Sequence, residues 1–236
     1  MFRDTPDFQD RREAGRRLAA ALTHLRPARP LILALPRGGV PVAFEVAQAL
    51  DAQLDLLFVR KLGAPGYEEL GIGAIVDGAD PRLVLNEEVV RELGPTPEYI
   101  RQEMRRQLVE IERRRKAYLG DATPIATAGR TVIVIDDGIA TGGTVKAALM
   151  GLRKTHPARL ILAVPVAPPE MLAALRSECD EIVCLSQPHP FYAVGAHYAE
   201  FDQTGDAEVI RLLRDAQGFG EPAPPPLNHV VGRKGP

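Results

Sequence analysis

The sequence predicts an α/β fold in which a twisted, largely parallel sheet is flanked by helices. Short apolar runs alternate along the chain with longer amphipathic segments, which is the order that successive βα units produce. The strongest run, residues 131–135, reads T-V-I-V-I; it is β-branched throughout and has no polar alternation. Such a run suits a parallel strand buried on both faces. With 236 residues, 45% of them hydrophobic, the chain is long enough for one sizeable core.

The first elements along the chain begin this sheet. Apolar residues at helical spacing predict an amphipathic helix over residues 10–25. The apolar run at 31–35 predicts a strand, and a Pro- and Gly-containing turn leads from it into a helix over 40–50. A second strand is expected at 54–60.

The middle of the chain departs from this alternation. Residues 62–71 are rich in Gly, Pro and acidic side chains, which predicts a loop. The runs 72–76 and 82–85 are separated by D-G-A-D-P and predict a hairpin. A short helix is expected over 86–93, and a Thr-Pro start signal predicts a longer helix over 96–119.

The 96–119 helix is rich in arginine, and two interpretations of it are open. Its basic side chains suggest a surface for RNA or DNA. Glutamates are interspersed among them, which favours a solvated helix stabilised by ion pairs between residues three and four apart. In that interpretation the arginines, Arg115 included, lie on the solvated faces. The formal net charge of −2 gives no support for binding a nucleic acid or a membrane surface.

The last third of the chain returns to alternating strands and helices. We expect one domain over residues 1–217, with a small hood at about 185–205, and then a disordered Pro/Gly-rich tail over 218–236. The remaining predicted elements are strands at 159–164 and 181–185 and helices at 145–153, 168–178 and 206–216.

The cysteines and the apolar runs bear on the cellular compartment. Cys179 and Cys184 have neither C-x-x-C spacing nor a disulfide-rich pattern. The N-terminus has no apolar signal core, and no run approaches the roughly 20 apolar residues of a membrane span. We therefore expect a reduced, cytoplasmic protein without a membrane partner.

A pair of carboxylates and a loop of small residues follow the 131–135 strand. The pair is Asp136-Asp137, and the loop G-I-A-T-G-G-T leads into a helix. Backbone N–H groups at 141–144 can surround a phosphate monoester at the positive end of that helix. The carboxylates would repel this phosphate, so they fit better on sugar hydroxyls or on a hydrated Mg²⁺. A Walker A loop is excluded because Thr144 occupies the place of its lysine.

Residues 132–144 resemble the phosphoribosyl-diphosphate-binding motif of type I phosphoribosyltransferases. The resemblance implies that family's fold and an Mg²⁺-dependent transfer of phosphoribosyl from phosphoribosyl diphosphate to a small nitrogenous base. In it, Asp136 and Asp137 are catalytic, position the ribose hydroxyls, and bind the metal directly or through water. The expected partners are these two substrates and a second copy of the chain in a homodimer. The implied substrate contacts in the loop are Gly138, Ala140, Thr141, Gly142, Gly143 and Thr144.

The segment 35–39, L-P-R-G-G, resembles the loop that binds pyrophosphate in the same family. By that resemblance Arg37 is catalytic through its contact with the leaving group, and the N–H groups of Gly38 and Gly39 bind beside it. The family's loop often contains a non-proline cis peptide, which here would join Pro36 to Arg37. A plain β-turn is the alternative for this motif in isolation.

Two further segments follow the family's order. Arg60-Lys61 resembles the basic pair that opens the flexible catalytic loop, which implies that Arg60 binds substrate, that Lys61 is catalytic, and that 62–71 is a lid. Phe191-Tyr192 resembles the hood segment that stacks on the base. The alternatives are two cations at the end of a surface strand and a small hydrophobic patch packed on the last helix.

Ala140 marks a departure from the 6-oxopurine salvage members of the family. In those members an aspartate at this position acts as a base toward the purine, and alanine cannot take that role. Adenine-type members also have alanine here, so the departure weakens the hypoxanthine/guanine assignment without excluding catalysis. Glu68 and Glu69 are candidate replacements, although solvated loop acids are the simpler interpretation.

Two functions compete with this transferase. The same fold could sense phosphoribosyl diphosphate or a nucleotide and regulate a partner without chemistry, with the 96–119 helix, an insertion relative to the family, as its interaction surface. Hydrolysis by a serine nucleophile has little support, since neither Ser177 nor Ser186 lies in a G-x-S-x-G motif.

Overall fold

The computed structural model describes residues 6–220, with the side chains of Glu68 and Glu69 excepted. Over this range the chain forms a five-stranded sheet, with helices on both faces, and a separate three-stranded sheet. In chain order the elements are α1 (Arg11–Leu22), β1 (Leu31–Ala34), α2 (Gly39–Leu50), β2 (Gln53–Leu56), β3 (Val59–Ala64), β4 (Tyr67–Val76), β5 (Arg82–Leu85), α3 (Glu87–Leu93), α4 (Pro97–Leu119), β6 (Thr131–Ile135), α5 (Gly143–Arg153), β7 (Arg159–Val166), α6 (Pro169–Leu175), β8 (Glu181–Ser186) and α7 (Asp206–Asp215). Short 3-10 helices cover Thr23–Ala28 and Val194–His197.

The larger sheet is parallel throughout, with the strand order β2-β1-β6-β7-β8, which confirms the predicted α/β fold. Its central strand β6 is buried on both faces. Ile133 and Ile135 point into one apolar core, together with α1, α2 and α7, while Val132 and Val134 point into the other, together with α5 and α6. The missing polar alternation in β6 follows from this double burial.

The smaller sheet is antiparallel, in the order β3-β4-β5, and β4 and β5 form the predicted hairpin. The prediction of a loop over 62–71 is wrong, because these residues belong largely to β3, β4 and the tight turn between them. Leu62 and Ile72 are fully buried, and this packing outweighs the weak strand propensity of the intervening glycines. The turn itself uses Gly66, whose φ of +74° favours glycine.

The predicted strand over 54–60 is interrupted. Leu57 and Phe58 carry the chain from the end of β2 in the parallel sheet to the start of β3 in the small sheet, and both are buried. An apolar run shows no break at such a crossing, so the sequence pattern did not reveal it. Arg60 and Lys61 therefore lie inside β3 rather than at the end of a strand of the large sheet.

Helix α4 begins where its start signal predicts, and Thr96 Oγ1 accepts a hydrogen bond from Tyr99 N at 3.2 Å. Its exposed side carries the expected ion pairs between neighbouring turns. Glu98 pairs with Arg101, and Glu110 pairs with the arginines three and four residues later. These contacts confirm the interpretation of a solvated, ion-paired helix for this side.

Arg115 is the exception on this helix, and the expectation that it is solvated is wrong. Its guanidinium is buried and lies 2.9 Å from Asp55 Oδ1 of β2 and 2.8 Å from Asp77 Oδ2, directly after β4. Its Nη1 also donates to the carbonyl oxygen of Leu56 at 3.1 Å. Burial raises the pKa of Asp77, and Arg115 opposes that rise. The cluster fastens α4 to both sheets.

The C-terminal elements follow the prediction with a shorter α6, which ends at Leu175 instead of residue 178. At the start of the predicted tail, Phe219 packs on Phe44, with ring centroids 5.8 Å apart, and Gly220 N donates to Asp51 Oδ1 at 3.1 Å. The rest of the predicted tail, 221–236, lies outside the described residues. Within residues 6–220 no helix combines the length and apolar character that crossing a bilayer requires.

Candidate active site

Two of the motifs found in the sequence meet at the carboxyl edge of the parallel sheet. Strands β1 and β6 are neighbours, with Ala34 opposite Ile135. The pairing continues past the strand ends, since Leu35 N donates to the Ile135 carbonyl oxygen at 2.9 Å. The loop at 35–39 and the loop at 136–142 therefore leave the sheet side by side, at the edge where ligands bind in open α/β sheets.

The two loops touch through glycines that leave no room for a side chain. A Cβ atom on Gly38 would lie 2.1 Å from Asp137 Oδ2, and one on Gly39 would lie 2.7 Å from the Ile135 carbonyl oxygen and 3.0 Å from Asp136 Cα. The peptide bond between Pro36 and Arg37 is cis, as predicted from the family resemblance. The glycines of L-P-R-G-G are thus explained by close packing against the acidic pair.

The two aspartates of the pair have different surroundings. Asp136 Oδ1 accepts a hydrogen bond from Asp137 N at 2.9 Å. Burial, reinforced by the neighbouring Asp137, raises the pKa of Asp136 well above its usual value. Asp137 instead has a cationic partner, because Arg11 Nε lies 2.8 Å from its Oδ2, with both side chains largely buried.

Arg11 is a site residue that the sequence analysis missed. Its guanidinium lies 3.8 Å from the ring centre of Phe201, and its Nη1 donates to the carbonyl oxygen of Asp202 at 2.7 Å. Tyr198 adds a second connection, since its hydroxyl donates to the Asp137 carbonyl oxygen at 2.6 Å. The segment 198–202 is thereby fastened to the acidic pair. No local signal could reveal Arg11, which is separated from Asp137 by 126 positions.

The small-residue loop after the acidic pair packs against β7 and Val194 at its start and is exposed to solvent at its end. Ile139 N donates to the Val166 carbonyl oxygen of β7 at 2.9 Å, and a Cβ atom on Gly138 would collide with Val194 at 2.5 Å. Gly142 takes a left-handed φ of +70° and turns the chain into α5. The first N–H groups of α5 have no intrahelical partners, so they can bind an anion. Along the loop, Ala140, Thr141, Gly143 and Thr144 are exposed.

An open cleft of about 690 Å³ lies next to these loops. It brings together four residues predicted for the site: Arg37, Arg60, Asp136 and Thr144. The C-terminal part of α4 forms a further wall with Arg113, Arg114 and Tyr118, which the sequence analysis had not assigned to the site. One end of helix α4 therefore belongs to the cleft, although its other exposed faces are solvated.

Three residues predicted for the site lie elsewhere. Lys61 is exposed and does not line the cleft, since alternate residues of a strand point to opposite faces and Arg60 points inward. The ring of Phe191 stacks on His197, with centroids 5.4 Å apart, and Tyr192 is 74% exposed. Neither aromatic ring lines the cleft. The side chains of Glu68 and Glu69 lie outside the part of the chain that the structure describes.

Arg37 is held by the carboxylate of Asp206, which also lines the cleft. Its Nη1 lies 3.1 Å from Asp206 Oδ1, at the start of α7, and the Tyr118 hydroxyl donates to the same oxygen at 2.6 Å. The hydrogen bond from the Tyr118 hydroxyl lowers the pKa of Asp206 most, and the hydrogen bond from Arg37 lowers it further. Burial raises the pKa of Tyr118, and the hydrogen bond to the Asp206 carboxylate raises it further.

The chain is similar to known proteins over most of its length. Residues 8–200 match the family model described as the phosphoribosyl transferase domain. Two Mycobacterium tuberculosis proteins, MT0597 of strain CDC 1551 and Rv0571c of strain H37Rv, are provisionally described as phosphoribosyl transferases, and each is 45% identical over 215 residues. Each alignment covers 91% of this chain and 48% of the relative, so the chain spans about half the length of these curated relatives. The crystal structure of TT1426 from Thermus thermophilus superposes with a TM-score of 0.74 at 40% identity, covering 88% of this chain and 98% of that one.

Proposed function

This chain belongs to the phosphoribosyl transferase domain family, and on that premise we propose that it transfers the 5-phosphoribosyl group of phosphoribosyl diphosphate to a nitrogenous base, releasing pyrophosphate. One observation carries the proposal. The arginine loop at 35–39 and the acidic, small-residue loop at 136–142 lie side by side at the carboxyl edge of one parallel sheet. A substrate with a phosphate at one end and a diphosphate at the other can therefore contact both loops at once.

The two loops divide this substrate between them. Backbone N–H groups at 141–144 bind the 5-phosphate, supported by the positive end of α5 and by the two threonine hydroxyls. Arg37 and the N–H groups of the two glycines after it bind the diphosphate. Asp136 and Asp137 position the ribose hydroxyls, and their carboxylates favour the positive charge that develops on the sugar.

Mg²⁺ fits the donors that this site offers. Among residues 6–220, no group of three or more His, Cys, Asp or Glu side chains is arranged to hold a metal. Mg²⁺ usually keeps several waters and binds through one or two carboxylates together with substrate phosphates. Asp136 and Asp137 match that requirement and would hold the ion directly or through water, since Arg11 contacts only one carboxylate oxygen of Asp137. When bound, the ion neutralises charge on the diphosphate.

The bonds that change are those at the anomeric carbon of the ribose. A nitrogen of the base bonds to this carbon as the bond to the diphosphate oxygen breaks; the diphosphate leaves with the electron pair, and the nitrogen loses its proton. Positioning and electrostatic stabilisation supply most of the catalysis. Ala140 cannot accept this proton, so in the proposed step the proton passes to solvent water.

Pyrophosphate release tests the proposal. We expect the protein, incubated with phosphoribosyl diphosphate, MgCl₂ and a panel of purine, pyrimidine and pyridine bases, to release pyrophosphate in response to at least one base. Asp137→Asn should lower this release by about 100-fold or more, because a preorganised carboxylate at the reacting sugar is lost. Asp121→Asn, whose side chain is 95% exposed, is the matched control and should keep wild-type release. Wild-type turnover by Asp137→Asn would reject the role of this residue.

A sensing module without chemistry is the second candidate. The alanine at position 140 favours it, because this side chain cannot take the proton-accepting role that an aspartate has there in the 6-oxopurine salvage members. Binding of phosphoribosyl diphosphate together with no pyrophosphate release for any base would support the sensing module over the transferase.

A further inference from the structure

Asp206 joins three elements that are far apart in the sequence. One of its carboxylate oxygens, Oδ1, accepts from Arg37 Nη1 of the β1–α2 loop at 3.1 Å and from the Tyr118 hydroxyl of α4 at 2.6 Å. All three side chains line the same cleft as Asp136 and Thr144. The proposed chemistry involves only Arg37 among the three, so the roles of Asp206 and Tyr118 are open.

We propose that Asp206 and Tyr118 are positioning residues, which orient the guanidinium of Arg37 toward the diphosphate in the cleft. This inference rests on the proposed function, because it concerns the residue assigned to the leaving group. It also gives the inserted helix α4 a role in the site, since Tyr118 lies in its last turns.

The guanidinium of Arg37 keeps its binding edge available while Asp206 holds it. A guanidinium carries five N–H donors in a planar fork, and Asp206 uses only Nη1 in the described contacts. The Nε and Nη2 edge can therefore bind two oxygens of a diphosphate at the same time. Because the Arg37 side chain is only 35% exposed and fixed at one end, less rotamer freedom is lost when a diphosphate binds.

Tyr118 makes this support firmer than an exposed ion pair alone. Asp206 is 63% exposed, and an ion pair at such a position contributes little by itself. The Tyr118 ring stacks on Phe58, with centroids 6.2 Å apart and an angle of 11° between the planes. This stacking fixes the position of the Tyr118 hydroxyl. The helix that carries Tyr118, α4, is itself fastened to both sheets by the buried Arg115.

A role for Asp206 as a competitor of the diphosphate would predict the opposite change in affinity. An acidic side chain beside Arg37 could compete with the diphosphate, and removing it would then tighten binding. Positioning instead predicts weaker binding when Asp206 loses its charge or Tyr118 loses its hydroxyl. The sign of the change therefore separates the two roles.

Isothermal titration with inorganic pyrophosphate in MgCl₂ tests the inference. We expect Asp206→Asn, which keeps an acceptor oxygen but loses the charge of the ion pair, and Tyr118→Phe, which loses the hydroxyl, each to raise the Kd by about five-fold. Asp215→Asn, an exposed carboxylate at the other end of α7, is the matched control and should keep the wild-type Kd. Urea unfolding of each variant verifies that it is folded. Unchanged or tighter binding by Asp206→Asn would overturn the inference.

A double-variant comparison shows whether Asp206 acts through Arg37. In an Arg37→Gln background, Asp206→Asn should change the Kd by less than about two-fold, because the side chain it orients is gone. An undiminished effect in that background would overturn the inference; where the background binds too weakly to measure, the two single variants decide. If Asp206 and Arg37 are coupled in pyrophosphate binding but no base is converted, the positioning role stands and the transferase is rejected. A wild-type protein that does not bind pyrophosphate would reject both proposals.

Discussion

At the scale of single residues, Gly38 shows how closely the two loops of the site are packed. Its Cα faces the carboxylate of Asp137 so directly that even a methyl group would overlap Oδ2, at 2.1 Å. Asp137 cannot easily move away, because Arg11 holds that same oxygen and Tyr198 holds its carbonyl oxygen. The requirement for glycine here is therefore one of space rather than of backbone conformation.

Gly38→Ala should lower the free energy of unfolding by about 1–3 kcal/mol, the usual effect of inserting a methyl group into closely packed surroundings. Urea unfolding provides the measurement. Gly71→Ala is the matched control, since a Cβ atom at position 71 has no neighbour within 4 Å, and it should be neutral or slightly stabilising. Equal unfolding free energies for Gly38→Ala and wild type would contradict the packing described here.

Residues of the site were predictable from the sequence only where they follow one another in a motif. Asp136, Asp137 and the loop after them adjoin a recognisable strand, so their position at the sheet edge followed from the pattern. Arg11 and Asp206 contact their partners across 126 and 169 positions, and each looks like an ordinary surface charge in the sequence. Such pairings depend on the tertiary fold, which a local pattern does not encode.

At the scale of elements, the buried Arg115 helps to fasten α4 to both sheets. Arg115 joins α4 to Asp55 of β2 and to Asp77 after β4 by ion pairs, in addition to the apolar packing of the helix. The sequence predicted the length and the start of α4 but not this anchor, because Arg115 stands among arginines that are exposed. Likewise, Leu62 and Ile72 become strand residues only through burial that the Gly-rich sequence around them does not indicate.

Arg115→Met should destabilise the fold by about 3–5 kcal/mol, because two buried carboxylates lose their shared cation. Arg105→Met, on the exposed side of the same helix, is the matched control and should stay within about 0.5 kcal/mol of wild type. Chemical unfolding of both variants supplies the comparison. A loss at Arg115 no larger than the loss at Arg105 would show that the cluster does not anchor α4.

A second contact between elements should give a measurable pH dependence. Arg153 of α5 donates to both carboxylate oxygens of Asp180 at 3.0 Å, and Leu160 N of β7 donates at 2.7 Å. The arginine first, and then the backbone bond, lower the pKa of Asp180 in the folded protein. A lowered folded-state pKa stabilises the protein above the ordinary value of about 3.9, and this stabilisation is lost as the pH falls through the folded value.

The difference in unfolding free energy between wild type and Asp180→Asn should therefore narrow between neutral pH and about pH 3. Urea unfolding of both proteins at the two pH values measures it. A difference that is the same at both values would show that the carboxylate of Asp180 is not the source of the stabilisation.

At the scale of the whole molecule, the cleft lies where the two sheets and helix α4 meet. The parallel sheet supplies the loops with Arg37, Asp136 and Thr144, while the small sheet supplies Arg60. The sequence predicted the parallel sheet and its ligand-binding edge, because buried strands and helices alternate there. It did not predict the opposite wall, because the path from β2 into β3 and the docking of α4 both depend on tertiary contacts.

We propose that the two neighbouring loops form one site for phosphoribosyl diphosphate, and calorimetric titration of this compound in MgCl₂ measures its binding. We expect one binding site per chain. Arg37→Gln and Thr144→Val, which each alter one of the two loops, should each weaken the affinity at least about ten-fold, because a phosphate contact of either kind contributes about 1.5 kcal/mol or more. Undetectable binding to the wild-type protein, or wild-type affinity in either variant, would contradict the claim.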